Sequence, residues 1–431
     1  MVLEKDAKLA DGLPDAVVTS LPYLGRSVRI VGDWKSVDAG STPHEKNKRG
    51  ELGKGPYNWY FNRTSLDPLG RTATANSSAD RRNTIEHVIA HSPRNKVNPE
   101  RVDVTDAKAM TAHIKRVAKH LGASDVGIMK VSPSFLYSEG RYPDDGTGTV
   151  GQSQDMVTAE ETARLFPYAI VLVYAWDYEM ARAHRHRIGD AAYHFGAERL
   201  RASYANLASY IRDLGYSVAT RVATPMPTAL GAGLGEMGRH GMLITEKFGA
   251  RVHLGDPILT NLPLVSDSPI DIGVSDFCQV CQKCANTCPT NSITTGGKSV
   301  INGVEKYKIN WETCYRLRPH VMQYWEICLT CVTVCPYTKP RTWWHVLAVQ
   351  TLKRTPIPLR GITTRALKLL DDRFWGRLPR RRVAWMSYDS GHLTLPDGTK
   401  QPMGEKAGHY YPLKENTRRF DILKAKLKGK G

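Results

Sequence analysis

The residues of this sequence best equipped for chemistry are its eight cysteines, and all of them lie between Cys278 and Cys335. The first four read Cys278-x2-Cys281-x2-Cys284-x3-Cys288, followed by Pro289. The second set reads Cys328-x2-Cys331-x3-Cys335-Pro336, with Cys314 upstream. Closely spaced cysteines on a tight loop supply three corners of an iron–sulfur cubane, and a distant fourth closes it. In two-cluster ferredoxins the cysteine before proline serves the other cluster. That rule assigns Cys278, Cys281, Cys284 and Cys335 to one 4Fe-4S cluster, and Cys288, Cys314, Cys328 and Cys331 to a second. Paired Cys-x2-Cys also builds zinc sites, but the four-cysteine run ending in proline is much more specific. A disulfide scaffold is usually short and spreads its cysteines through the fold. Two clusters that exchange ligands must be close, and close clusters form an electron relay with something to feed.

The 431 residues suffice for two or three domains. Residues 1–104 are rich in Gly, Pro, Ser, Asn and charge and are expected to wrap the core as short helices and loops. Thr105 to Gly122 reads as a helix, with Asp106 as cap and Met110, Ile114, Val117 and Leu121 at helical spacing. Val126 to Val131 reads as a strand, Ala159 to Leu165 as a helix and Ala169 to Tyr174 as a buried strand. Asp190 to Leu214 reads as a long helix closed by Gly215, and Val218 to Val222 as another strand. Helices alternating with short apolar strands make residues 105–265 an α/β layered domain, so the class is α+β. Residues 266–341 form the cysteine domain. Residues 342–431 form a basic extension packing on the core.

Composition is that of an ordinary folded protein, 41% apolar and 24% charged. No apolar run is long enough to span a bilayer. The first residues lack a basic stretch followed by an apolar one. The pairs Arg81-Arg82 and Arg418-Arg419 are not followed by one either. The expectation is therefore no signal peptide and a cytoplasmic location, with export and membrane association as the alternative if a leader was trimmed. The net charge is +18, and ten Lys or Arg face only Asp371 and Asp372 between Val346 and Arg382. A basic face fits an acidic redox partner, an anionic membrane surface or a plain solvated surface. Nucleic acid comes last, because no aromatic residues interleave with the final Lys run.

Ahead of the cysteines lies Gly231-Ala-Gly-Leu-Gly-Glu-Met-Gly-Arg239-His-Gly-Met-Leu-Ile-Thr245. It is glycine-dense like a dinucleotide loop, but it opens no early βαβ unit and no acidic residue follows at the expected spacing. The glycines fit a backbone that approaches a large cofactor.

This segment, followed by Phe248-Gly249, Thr260-Asn-Leu-Pro-Leu264 and the two cysteine motifs, resembles the reductive dehalogenases. Asp177-Tyr178-Glu179 and Ala208-Ser-Tyr-Ile-Arg-Asp-Leu-Gly-Tyr216 follow the same order. The resemblance covers about Val126 to Tyr337. It implies a base-off corrinoid (cobalamin) in a nitroreductase-like domain, followed by a bacterial-ferredoxin-like domain with two 4Fe-4S clusters. The absence of Asp-x-His-x-x-Gly fits a corrinoid without a histidine ligand from the protein. The implied activity replaces the halogen of a small, aromatic organohalide with hydrogen, using electrons relayed through the clusters to cobalt. A tyrosine gives a proton to carbon, aided by a cation.

By the same resemblance Tyr178 matches the tyrosine, Arg239 its cation and Asn206 a polar neighbour. Tyr174 and Arg318 (or Arg316) match pocket positions. Gly233, Gly235, Gly238, Met242, Leu243 and Thr245 match the corrinoid-binding segment. Without the family, Tyr178 reads as a core tyrosine, Arg239 as an ion-pair partner of Glu236 or Asp177, and Asn206 as part of a solvated helix face. His184, His186 and His194 read as surface residues of an Arg-rich stretch. Too few residues follow the cysteines, and none is a cysteine, for a fused flavin and ferredoxin module. A separate low-potential donor (ferredoxin, flavodoxin or reductase) is expected. The nearest rival is an epoxyqueuosine-type reductase acting on tRNA; its aspartate has no counterpart in Arg221 to Thr228. A non-catalytic electron carrier is the second rival, and it leaves the α/β domain without a use.

Overall fold

The computed structural model describes residues 22–32, 34, 36–52, 96–138, 158–182, 187–288, 290–315, 328–375, 387–389, 392–394 and 400–402. The strand Tyr168–Ala175 organises the first half of the molecule. Ala169 to Val173 are wholly buried, because both faces of this strand are covered. Ala169, Val171 and Val173 face one apolar cluster, and Ile170 and Leu172 face another. Such two-sided burial requires the unbroken apolar run seen in the sequence.

The strand Asp125–Lys130 pairs antiparallel on one side, with Ile128 opposite Ile170. Strands Ile258–Thr260 and Val252–Leu254 pair antiparallel on the other, and Val218–Thr220 completes the sheet beside Ile258–Thr260. The helix Ala107–His120 begins at Asp106, whose carboxylate accepts the amides of Lys108 and Ala109. The helix Arg187–Asp213 lays Leu200, Tyr204, Leu207 and Ile211 onto the same face of the sheet. Gly215, at φ +84°, closes it. Each element expected from periodicity is present within a few residues. His194 differs from expectation: it is buried, edge-on to Tyr193 at 5.3 Å. His184 and His186 lie outside the described residues.

The cysteine region is built on the helices Val274–Cys281, Lys283–Asn286 and Thr330–Thr333. Between its motifs stands a hairpin, Ser299–Ile301 with Val304–Lys306. Its turn is Asn302-Gly303, both at positive φ, the pairing that a two-residue hairpin turn demands. The strand Arg29–Ile30 adds to its free edge, so the early chain clasps the cysteine region.

The helices Trp343–Arg354 and Arg360–Trp375 cover the same region from the other side. Arg360 and Arg26 converge on Asp271 and Asp276, with Arg360 Nη1 2.7 Å from Asp271 and Arg26 Nη1 2.8 Å from Asp276. These charges hold the early chain and the start of the late helix to the first cysteine helix. One apolar cluster joins the layers: Trp176, Ala181 and Ile244 pack with Phe277, Cys281, Cys335, Tyr337, Val349 and Leu352. No helix of the described residues is long and apolar enough to cross a membrane.

Candidate functional site

The cysteines fall into two groups in space. Cys278, Cys281, Cys284 and Cys335 line one small cavity. Burial, then the charges of Cys278, Cys335 and Cys281, push the Cys284 thiol well up. Burial, then Cys328, Cys288, Cys314 and Cys284, do the same to Cys331. The first set that the crossed spacing rule names thus shares one cavity, and Cys331 lies within electrostatic reach of Cys328, Cys288 and Cys314 as well as of Cys284. A cubane asks each thiolate to hold a different iron, whereas a zinc site asks all of them to touch one ion. Raised thiol pKa values, about 12 for Cys278 through burial, mean that these sulfurs become anions only with a cation beside them. Thr290 Oγ1 and the Ser292 amide approach Cys288 Sγ at 3.3 and 3.4 Å, and Thr330 Oγ1 lies 3.4 Å from Cys328 Sγ. The donor sets fit two clusters.

The glycine segment forms a small hairpin, Glu236–Met237 with Leu243–Ile244, pressed against the first set. Glu236 Oε2 accepts the amides of Ile272 (2.7 Å) and Val274 (3.1 Å) at the start of the helix carrying Cys278 and Cys281. Arg239 is buried. Its Nε and Nη2 donate to the Cys278 carbonyl at 3.0 and 2.8 Å, and its Nη1 donates to the carbonyls of Thr294 (3.0 Å) and Gly296 (2.7 Å). The guanidinium stacks over Tyr307 at 4.1 Å. Its place is that of a clamp on the cluster loop, neither an ion pair with Glu236 or Asp177 nor a partner of Tyr178.

The reason for the glycines is also corrected. A Cβ on Gly233 would strike the Ser268 carbonyl, and one on Gly235 the Ile244 carbonyl. One on Gly238 would strike the side chains of Ile244 and His240. The clearance is occupied by the protein itself rather than left as a cradle. Leu243 is core, Met242 packs beside the cluster layer, and Thr245 Oγ1 donates to the Gly249 carbonyl at 3.1 Å.

Tyr178 opens the short helix Tyr178–Arg182, capped by Asp177 Oδ1, which accepts the Met180 amide at 2.8 Å. Burial pushes its phenol up to about 12, with Arg182 and Arg251 pulling down and Glu179 and Asp371 pushing up. The cations beside it are Arg182, 5.5 Å from the ring centroid, and Arg251, 5.8 Å away. Arg182 is paired with Glu179 at 3.0 Å. Arg251 donates to the Trp176 carbonyl, and its Nε is buried without a hydrogen-bond partner among the described residues. Sequence reasoning missed Arg251, although it stands two residues after Phe248-Gly249.

Asn206 is not brought to Tyr178. Trp176 packs on Gly196, and Asn206 lies ten residues further along the same helix, about 15 Å at the helical rise. Its Nδ2 donates to the Ala202 carbonyl at 2.8 Å. Tyr174, opposite His253 in the sheet, accepts from Arg199 Nη1 at 3.0 Å. Arg318 and Arg316 lie outside the described residues.

A cavity of about 610 Å³ lies against the first cysteine set. Phe277, Pro336 and Tyr337 wall both it and the cysteine cavity. The helices Trp343–Arg354 and Arg360–Trp375 supply Trp344, Val349, Leu352, Leu370, Asp371 and Phe374. Such a volume with apolar walls and few polar groups suits a small organic ligand. Asp371 and His345 are titratable groups in the wall; Asp371 is paired with buried Lys283, and its charge reaches Tyr178.

Residues 277–339 match the family model of the 4Fe-4S dicluster domain. The chain is 31% identical over 275 residues to the tetrachloroethene reductive dehalogenase of Sulfurospirillum multivorans, covering 56% of this chain and 53% of that protein. It thus spans about half the length of that relative. It is 35% identical over 112 residues to the epoxyqueuosine reductase of Listeria monocytogenes, covering 25% of this chain and 28% of that protein. The solved catabolic reductive dehalogenase NpRdhA superposes with a TM-score of 0.66 at 24% identity, over 90% of this chain and 54% of that one. The fold is therefore that of a reductive dehalogenase, and the cysteine segment within it is a 4Fe-4S dicluster domain.

Proposed function

We propose that this chain is a corrinoid-dependent reductive dehalogenase that replaces the halogen of a small organohalide with hydrogen. The observation that carries this reading is the shared wall of Phe277, Pro336 and Tyr337, which sets the first thiol group directly against an apolar cavity. Sequence similarity to a tetrachloroethene reductive dehalogenase supports it. So does likeness to a solved structure described as suggesting a mechanism for B12-dependent dehalogenation. The layered sheet domain is read as nitroreductase-like, and an aromatic substrate fits the aromatic lining of Trp344 and Phe374.

A bound base-off corrinoid would supply the strongly reducing metal that carbon–halogen cleavage requires. Overall, the substrate takes up two electrons and one proton and releases halide. Tyr178 gives its phenolic proton to the carbon as the halide leaves. Arg251, close to the ring and with an unpartnered Nε, stabilises the phenolate that remains. Cys278, Cys281, Cys284 and Cys335 hold the cluster nearer the cavity, and Cys288, Cys314, Cys328 and Cys331 hold the one that receives electrons from outside. A separate acidic donor, or a membrane surface carrying one, docks on the helix Arg360–Trp375, where Arg365 and Arg373 are exposed.

The test is acid extraction of the anaerobically purified protein with a visible spectrum. It is coupled to halide release from chlorinated and brominated phenols and ethenes under a low-potential reductant. Corrinoid together with halide release is expected. Full iron without corrinoid or halide release would overturn the reading.

A further inference from the structure

His240 is a buried imidazole that no step above uses. It sits in the loop of the hairpin, where the Gly238 amide donates to the Met242 carbonyl at 3.0 Å and Gly241 turns at φ +70°. The Met242 amide donates to His240 Nδ1 at 3.2 Å. A nitrogen that accepts carries no hydrogen, so a neutral ring holds its proton on Nε2. Gly238 is required for this placement, since a Cβ there would lie 2.8 Å from His240 Cε1 and 3.2 Å from Nδ1. With the Nδ1–Cε1 edge against that backbone, Nε2 is the polar atom left for the cavity. It is buried and has no hydrogen-bond partner among the described residues. The cavity that His240 lines is the one lined by Cys278, Cys281, Cys284 and Cys335. A buried N–H without an acceptor costs about 1–3 kcal/mol, and every feature of the loop holds this one in place.

We propose that His240 donates its Nε2–H to a sulfur of the cluster held by Cys278, Cys281, Cys284 and Cys335, and so raises the reduction potential of that cluster alone. The inference rests on the reading of those four thiols as ligands of one cluster. Reduction adds negative charge to the cluster, and a fixed donor stabilises the reduced form more than the oxidised one. Arg239, the preceding residue, acts on the same loop through the Cys278 carbonyl, so both residues of the hairpin turn toward the first cysteine set.

The experiment is an EPR-monitored redox titration of the anaerobically purified holoprotein, wild type against His240→Phe and His240→Gln, with iron analysis on each. In His240→Phe one cluster becomes harder to reduce, by about tenfold in its reduced-to-oxidised ratio at fixed potential. That is about 59 mV for a one-electron couple. The second cluster stays where it was, and His240→Gln, which keeps an N–H donor, recovers part of the shift. Full iron with both midpoints unmoved in His240→Phe overturns the proposal. If His240→Phe fails to hold iron, the wild type decides. Pulsed EPR on reduced protein with ¹⁵N-histidine should show one weakly coupled imidazole nitrogen, and its absence overturns the proposal. Wild-type protein without two clusters instead overturns the ligand reading beneath it.

Discussion

The cysteine segment and the surroundings of Tyr178 differ in how far apart their parts lie along the chain. The thiols come from one segment, Cys278 to Cys335, and its short helices carry Cys278, Cys281, Cys284 and Cys331. The Tyr178 environment is gathered from three distant places: the end of the central strand, Arg251 before the next strand, and Asp371 on a late helix. A local site announces itself by spacing, because ligand geometry dictates how many residues separate its members. A dispersed site does not, because the sheet and the packing of late helices bring its members together. The difference explains why spacing proposes a pairing of the cysteines, whereas the cation beside Tyr178 is Arg251 or Arg182 rather than Arg239.

The largest effect that would sharpen this contrast is expected at the local site. Cys335→Ser should remove the cluster on the far side of the crossing from its own motif. Iron should fall from about eight per chain toward about four, since each cubane holds four. Turnover should disappear. Iron analysis and EPR check it, and loss of the signal assigned to Cys328 and Cys331 instead would break the crossed pairing.

Tyr178→Phe comes next. It keeps the ring and removes the transferable proton, so turnover should fall by about a hundred- to ten-thousand-fold at unchanged iron content. The raised pKa carries a pH consequence. The folded phenol titrates at about 12 because burial disfavours its anion, whereas an unfolded tyrosine titrates near 10. The neutral acid is therefore present throughout the neutral range. The stability it contributes is intact below pH 10 and lost as pH rises toward 12. Phenolate absorbance of wild type minus Tyr178→Phe checks this, and a component titrating near 10 would contradict the buried placement.

The two arginines should part company more modestly. Arg251→Ala should slow turnover by about tenfold or more with iron retained, and Arg251→Lys should recover part of it, because the charge survives without the fork. Arg239→Ala leaves the carbonyls of Cys278, Thr294 and Gly296 without their donor, at about 1–3 kcal/mol for each buried one. It should lower thermal stability and iron content before it alters the chemistry of whatever enzyme remains. Steady-state rates normalised to iron, set beside melting curves, separate these outcomes. If Arg239→Ala keeps stability and iron yet loses turnover, the original pairing with Tyr178 is restored.

The smallest effect concerns the basic helix Arg360–Trp375. Raising salt should slow turnover driven by an acidic protein donor more than turnover driven by a small neutral mediator. Equal slowing would remove this helix as the dock.

Periodicity and spacing by themselves determined the long elements and the dicluster character of the cysteine segment. A buried central strand has to be apolar at consecutive positions, and a helix on a sheet has to repeat its apolar residues every three to four. Cubane ligation restricts cysteines to short, recognisable intervals. The Asn302-Gly303 turn went unread, although few residue pairs take positive φ twice in succession. The roles within the glycine hairpin were decided only by tertiary structure. Glycine at 233, 235 and 238 signals close approach but does not say to what, and here the neighbours are Ser268, Ile244 and His240. Arg239, Asn206 and Arg251 carry the same kinds of donor wherever they stand. Their partners, the Cys278 carbonyl, the Ala202 carbonyl and the Tyr178 ring, were selected by long-range packing that no local pattern of residues encodes.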